Sequence, residues 1–182
     1  MSNLIDILSD SGLRTGEILP RPDVHRLGKI HRAVHLYIFN AKNEILLQRR
    51  SLTVDSYPGV FSISVLGHIN AGEFSAATVR REIEEELGID ASGLQINFLF
   101  SHFTEALISE TYIDRQFNDI YVTRANIRAE SIHFDPAEVS EIKFVPLEKF
   151  QEMLTDLNSE LAPVYTDECR DVLYFLKGWF TR

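Results

Sequence analysis

The spacing of apolar residues changes several times along this chain, and each change marks a predicted element. Val34 to Phe39 is an almost unbroken run of β-formers, Asn40-Ala41-Lys42-Asn43 interrupts it, and Glu44 to Arg49 resumes it. That pattern predicts a β-hairpin with a polar turn. Ser51 to Gly59 predicts a loop turning at Tyr57-Pro58-Gly59. From Val60 to Leu66 the chain alternates, Phe61, Ile63 and Val65 against Ser62 and Ser64, as a strand does. The period then becomes helical: Ala76, Val79, Ile83 and Leu87 fall on one face, and Gly88 follows as a left-handed cap.

Further on, Leu94 to His102 and Phe117 to Thr123 predict strands. Thr104 to Arg115 between them, with Glu105, Glu110, Tyr112 and Asp114, predicts a polar lid. Glu141 to Val145 predicts a strand, and Pro146-Leu147 opens a helix to about Leu154. Thr166 to Phe180 predicts a closing amphipathic helix, with Val172, Leu173, Leu176, Trp179 and Phe180 serving the core or a dimer contact. At the other end, Met1 to Leu27 predicts a short strand over Leu4 to Leu8, a turn, and an irregular segment marked by Pro20 and Pro22. Together these elements imply an α/β/α sandwich around a mixed, curved sheet. Residues 1–30 would be an extension packed on a domain of residues 31–182.

Composition narrows the function. With 182 residues, 45% of them hydrophobic and 25% charged, the chain is long enough to bury a full core. Its net charge of −9 argues against a nucleic acid polymer or an anionic membrane as principal partner. The single cysteine, Cys169, excludes an internal disulfide and a cysteine metal cluster. Met1 to Asp10 has neither the basic start nor the apolar run of a signal peptide, so a cytoplasmic location is expected.

The polar face of the central helix carries the chemistry. Glu82, Glu85 and Glu86 stand at i, i+3 and i+4, on one side of a helix and about 100° from its apolar face. Like charges so placed weaken a helix unless a cation lies between them, and Mg²⁺ prefers oxygen ligands of this kind. Arg50, closing a strand near this acidic face, suits a diphosphate oxygen.

From Gly67 the chain reads Gly, five residues, Glu73, seven residues, Arg81-Glu82-Ile83, one residue, Glu85-Glu86, one residue, Gly88-Ile89. This resembles the Nudix box at every defining position. The resemblance implies a Nudix-like sandwich with a loop–helix–loop that carries Mg²⁺ or Mn²⁺ against a diphosphate. Glu82, Glu85 and Glu86 would be metal ligands, and Glu82 a candidate base. Arg81 and Glu73 would brace the loop as an ion pair, and the backbone at Leu66 and Gly67 would face the metal and substrate. Such enzymes often take one more carboxylate from a late loop, for which Glu138 and Glu141 are the candidates.

The stretch from His31 to Gly67 also resembles bacterial isopentenyl diphosphate isomerases, a branch of the same superfamily. That resemblance implies a second metal site at His25, His31 and His68, with Arg50 on diphosphate. Two departures disfavour isomerase activity. Leu66 stands where those enzymes have a catalytic cysteine, and leucine relays no proton. Val54 and Asp55 fall where they have a diphosphate-binding lysine. The isomerase's paired glutamates fall near Asp114 and Gln116, a partial match. The expected activity is therefore metal-dependent hydrolysis of a nucleoside diphosphate linked to a further group. Isomerisation and a non-catalytic nucleotide-binding module are the alternatives, and a homodimer is an open expectation.

Overall fold

A computed structural model describes residues 4–156 and 159–179. The chain opens with an antiparallel pair, β1 (Leu4–Leu8) and β2 (Arg14–Pro20), and a six-residue helix, α1 (Arg21–Arg26). This corrects the irregular segment expected before Leu27. β2 is mostly exposed on both faces, so it carries no alternation to read. Pro22 lies in the first turn of α1, where a missing N–H removes no helical bond.

Then come β3 (His31–Phe39), β4 (Glu44–Arg50), β5 (Phe61–Ser62), β6 (Val65–His68) and the helix α2 (Ser75–Leu87). The expected turn joins β3 to β4, yet the two strands pair only at Phe39 and Ile45. From there they splay. β3 runs parallel to β8 (Tyr112–Arg124) and antiparallel to β6. β4 pairs with β5 and with β9 (Val139–Pro146) instead. The segment Phe61 to His68 crosses the gap, which is why the expected single strand is two short ones. Ser64 fills the break: its hydroxyl donates to the Leu46 carbonyl at 2.6 Å and accepts from the Ile38 amide at 2.8 Å. Two backbone groups that lack a ladder partner are thus satisfied inside the core.

The polar lid expected over Thr104 to Arg115 is not a loop. It forms the outer half of a long hairpin, β7 (Ile96–Ser109) with β8, paired from Ile96–Thr123 out to Ser109–Tyr112. Alternate residues of β7 are more and less exposed along its outer half, a period-2 signal that its polar composition obscured.

Each face of the seven-stranded mixed sheet buries a different helix set. Val79, Ile83 and Leu87 of α2 pack against Val34, Leu36 and Ile38. On the opposite face, Tyr37, Phe39, Ile120 and Val122 lie under α3 (Leu147–Met153) and α4 (Thr166–Phe175). Successive β3 side chains point to opposite faces, so one strand feeds both cores. Each fully buried aliphatic or aromatic side chain contributes about 1.5–3 kcal/mol. The architecture is the expected α/β/α sandwich. The closing helix ends at Phe175; Val172 and Leu176 are buried in the core with Leu173 and Trp179 against them, and Phe180 lies outside the described residues. Among the described residues no helix is long and apolar enough to cross a membrane.

Candidate active site

Where β3 and β4 part, a polar cleft of about 270 Å³ opens. Ala33 and His35 of β3 line one wall, Gln48 and Arg50 of β4 the other, and α2 presents its glutamates across the mouth.

Glu82 and Glu86 are buried, while Glu85 is largely exposed. Gly67 makes the approach of Glu82 possible: a Cβ on residue 67 would overlap the Glu82 side chain at Cγ, Cδ and Oε1. Glu86 Oε2 accepts from Gln48 Nε2 at 3.1 Å and from the Leu66 amide at 3.4 Å. Arg81 ties the loop to the helix. Its Nε and Nη2 meet the two Glu73 oxygens at 3.0 and 3.1 Å, and its Nη1 lies 2.8 Å from both Glu82 and Glu85. It also donates to the His68 carbonyl at 3.3 Å. Burial lifts Glu82 to about 7 against the pull of Arg81. Burial together with the neighbouring Glu82 charge pushes Glu86 well above the usual carboxylate range. Two carboxylates thus share a dry corner with too little positive charge, a setting that a bound cation relieves.

The far wall is held by the loop after β4. Arg50 lines the cleft and donates to the Ser56 carbonyl and hydroxyl at 2.7 and 3.0 Å. Arg49, on the opposite side of the strand, pairs with Glu141 and Glu160 and lies 4.1 Å over the Phe61 ring. The two late carboxylates therefore part company. Glu138 lines the cleft, whereas Glu141 is engaged by Arg49 and is not among the lining residues. Ser51 donates to the Glu138 carbonyl at 2.8 Å and Thr53 to the Ala137 carbonyl at 2.9 Å, pinning the late loop to the first.

α1, β3 and β6 bring His25, His31 and His68 together, each offering a ring nitrogen within 4.8 Å of the others. The Nε2 atoms of His25 and His68 are 3.1 Å apart. His31 Nδ1 donates to the Lys29 carbonyl at 3.1 Å, which leaves Nε2 with its lone pair free. Asp114 approaches His25 Nδ1 at 3.6 Å and His31 Nε2 at 3.8 Å. Those three facing atoms are buried without a hydrogen-bond partner. Burial and the charges of His31 and Arg21 lower His25 to about 3; burial lowers His31 to about 4 and holds His68 well below its usual value. Burial raises Asp114 to about 6. The cluster is a set of neutral imidazoles, the form that ligates metal. Leu66 and Gln116 line the same cleft, and neither side chain relays a proton.

One supporting residue, Gln48, escaped the sequence reading, and another, Asp6, reads in the sequence as an isolated solvated acid but is engaged in the structure. Gln48 follows the apolar run Ile45 to Leu47 and precedes two arginines, so the sequence reads it as polar strand end, yet it is buried with that run. Asp6 accepts from the Gly72 amide at 2.9 Å and pairs with Arg14 at 3.2 Å, clamping the loop that precedes α2; in the sequence it is one of four acids near the start, with Asp10, Glu17 and Asp23, and nothing local sets it apart from them.

A family model for the NUDIX domain matches residues 29–167, and the chain belongs to that family. Its relatives include both Nudix hydrolases and isopentenyl diphosphate isomerases, a branch of the same family. Nudix hydrolase 3 of Arabidopsis thaliana is 38% identical over 162 residues; these are 87% of this chain but only 21% of that protein, so the chain spans about a fifth of its length. An isopentenyl-diphosphate Delta-isomerase of Paenarthrobacter aurescens is 29% identical over 164 residues, 89% of this chain and 86% of its own. Among solved structures, a Deinococcus radiodurans protein superposes with a TM-score of 0.75 at 19% identity, covering 92% of this chain and 98% of that one, which shows the shared fold.

Proposed function

We propose that the chain hydrolyses the diphosphate bond of a small nucleoside diphosphate linked to a further group, using Mg²⁺ or Mn²⁺. The observation that carries this reading is the pair Glu82 and Glu86, buried side by side in a polar cleft with raised carboxyl pKa values. Glu82, Glu85 and Glu86 would hold the cation, which when bound offsets the charge of diphosphate oxygens. Arg50 binds a phosphoryl oxygen from the opposite wall, and Arg81 with Glu73 keeps the loop at Gly67 in place. Glu82, lifted to about 7, takes the proton of the attacking water. Glu138 is the further carboxylate on the late loop. Water adds to one phosphorus and the bridging bond breaks, leaving a phosphate monoester with phosphate or a second monoester.

His25, His31 and His68 fit a second cation, since their ring nitrogens lie within 4.8 Å of one another and the orphaned buried atoms of His25 and His31 face the Asp114 oxygen. Imidazole donors suit a transition ion there better than Mg²⁺. The partner throughout is a small diphosphate, and a cytoplasmic setting with its nucleotide pool agrees with this.

Phosphorus NMR of the chain with Mg²⁺ and a panel of nucleoside di- and triphosphates, sugar nucleotides, dinucleotides and isopentenyl diphosphate tests the reading. Loss of a diphosphate signal with growth of a monoester is the expected result, and it identifies the substrate. A panel that survives intact, with a displaced alkene in the proton spectrum, overturns it in favour of the isomerase. An intact panel with no such change points to a binding module.

A further inference from the structure

Behind the wall of the cleft opposite α2 lies a buried carboxylate that the reaction above leaves unused. Glu168, in the first turn of α4, is 1% exposed, and its two oxygens meet His35 Nδ1 at 2.8 and 2.9 Å. Tyr37 donates its hydroxyl to one oxygen at 2.7 Å and Asn118 its amide to the other at 2.9 Å. Burial opposes the charge, but His35 and these donors outweigh it and keep the carboxyl below its usual value. The first turn of a helix adds a favourable dipole. A buried ion is costly unless fully paired, and this one is paired on every side.

His35 is itself 1% exposed and yet lines the cleft. Glu168 occupies Nδ1, so Nε2 is the ring nitrogen left to present to a ligand. The Tyr165 ring meets the imidazole edge-on, 5.5 Å between centroids, and limits its rotation. Three elements, β3, β8 and α4, thus hold one imidazole in one orientation at the wall across from Glu82 and Glu86.

We propose that His35, aimed by Glu168, is a phosphate-binding residue of this site. Its Nε2–H donates to a phosphoryl oxygen of the diphosphate on the side away from α2, while Nδ1–H stays on the Glu168 carboxylate. His35 touches substrate; Glu168 is a positioning residue. The inference rests on the diphosphate reading above and adds a contact outside the glutamate helix.

The test uses methylenediphosphonate, a diphosphate mimic that cannot be hydrolysed, with Mg²⁺ and the whole chain. Long-range nitrogen–proton NMR of the wild-type protein should show the His35 Nε2 signal shift as the mimic binds, with Nδ1 still held by Glu168. Calorimetry should show binding weakened about tenfold in His35→Asn and similarly in Glu168→Gln. The double variant should be no weaker than either single one, because the two residues act as a unit. Should Glu168→Gln fail to fold, the wild-type spectrum and His35→Asn still decide. Binding that leaves the His35 ring unmoved, or full affinity in His35→Asn, overturns this inference alone. A wild-type chain that does not bind the mimic overturns it together with the diphosphate reading.

Discussion

Gly67 and Glu82 compete for the same space, since any Cβ at position 67 would overlap the Glu82 side chain. The glycine is therefore required by close approach. The smallest substitution, Gly67→Ala, forces the carboxylate out of its place or the loop off the helix. We expect it to cost about 1–3 kcal/mol of stability, as overpacking does, and to lower turnover at least about a hundredfold through the displaced carboxylate. Urea unfolding and initial rates across a Mg²⁺ series measure both. Wild-type turnover in Gly67→Ala would show that Glu82 need not sit where it does.

Glu82 also sets a pH dependence of stability. Its folded pKa, about 7, lies above the ordinary value of 4.5, so the fold favours the protonated form. The stabilisation is complete below pH 4.5 and is lost as pH rises through 7, up to about 3 kcal/mol in metal-free protein. His25 and His31 act in the opposite sense. Their folded values of about 3 and 4 lie below 6.5, so their contribution is present above pH 6.5 and fades as pH falls through 4 to 3. Melting curves in chelator should therefore show Glu82→Gln gaining on the wild type between pH 5 and 7.5. Saturating Mg²⁺ should close that difference. Parallel curves for the two proteins would remove Glu82 from the account.

The acidic face of α2 was legible because everything that defines it is local. Helical spacing groups Glu82, Glu85 and Glu86, and Gly88 stops the helix in the left-handed conformation, at φ 63. The splay of β3 from β4 was not legible, since Phe39–Ile45 begins as a hairpin and only the competing partners β8 and β9 pull the strands apart. Thr104 to Arg115 misled for a related reason: its polar residues alternate on an exposed hairpin, where burial imposes no hydrophobic face. Glu168 comes to His35 across 133 residues of sequence, a distance at which no spacing rule speaks.

The two late carboxylates offer a sharp contrast within one loop and strand. Glu138 faces the cleft, and Glu141 faces Arg49 with about half its side chain exposed. Glu138→Gln should lower turnover at least about tenfold, in the range of a lost acid–base or ligand group. Glu141→Gln should leave turnover within about twofold and stability within about 1 kcal/mol, as an exposed pair allows. The two rate measurements under identical Mg²⁺ check this, and a reversed order would mean that the late loop swings when substrate arrives.

The histidine cluster and the glutamate face are separable by which ion they hold. His25, His31 and His68 are neutral at pH 7, and buried nitrogens of His25 and His31 confront the Asp114 oxygen without hydrogen bonds. An imidazole set of this kind binds Zn²⁺ or Mn²⁺ with little proton release from the histidines, because they carry no second proton to lose. Calorimetry of the chelator-treated chain with Zn²⁺, repeated in buffers of different ionisation heat, reads stoichiometry and proton release together. One ion should remain in Glu86→Gln and be lost in His31→Asn. Asp114, raised to about 6, should make the affinity fall as pH drops through that value. Loss of the ion in Glu86→Gln with retention in His31→Asn would assign the binding to α2 and leave the histidines a structural cluster.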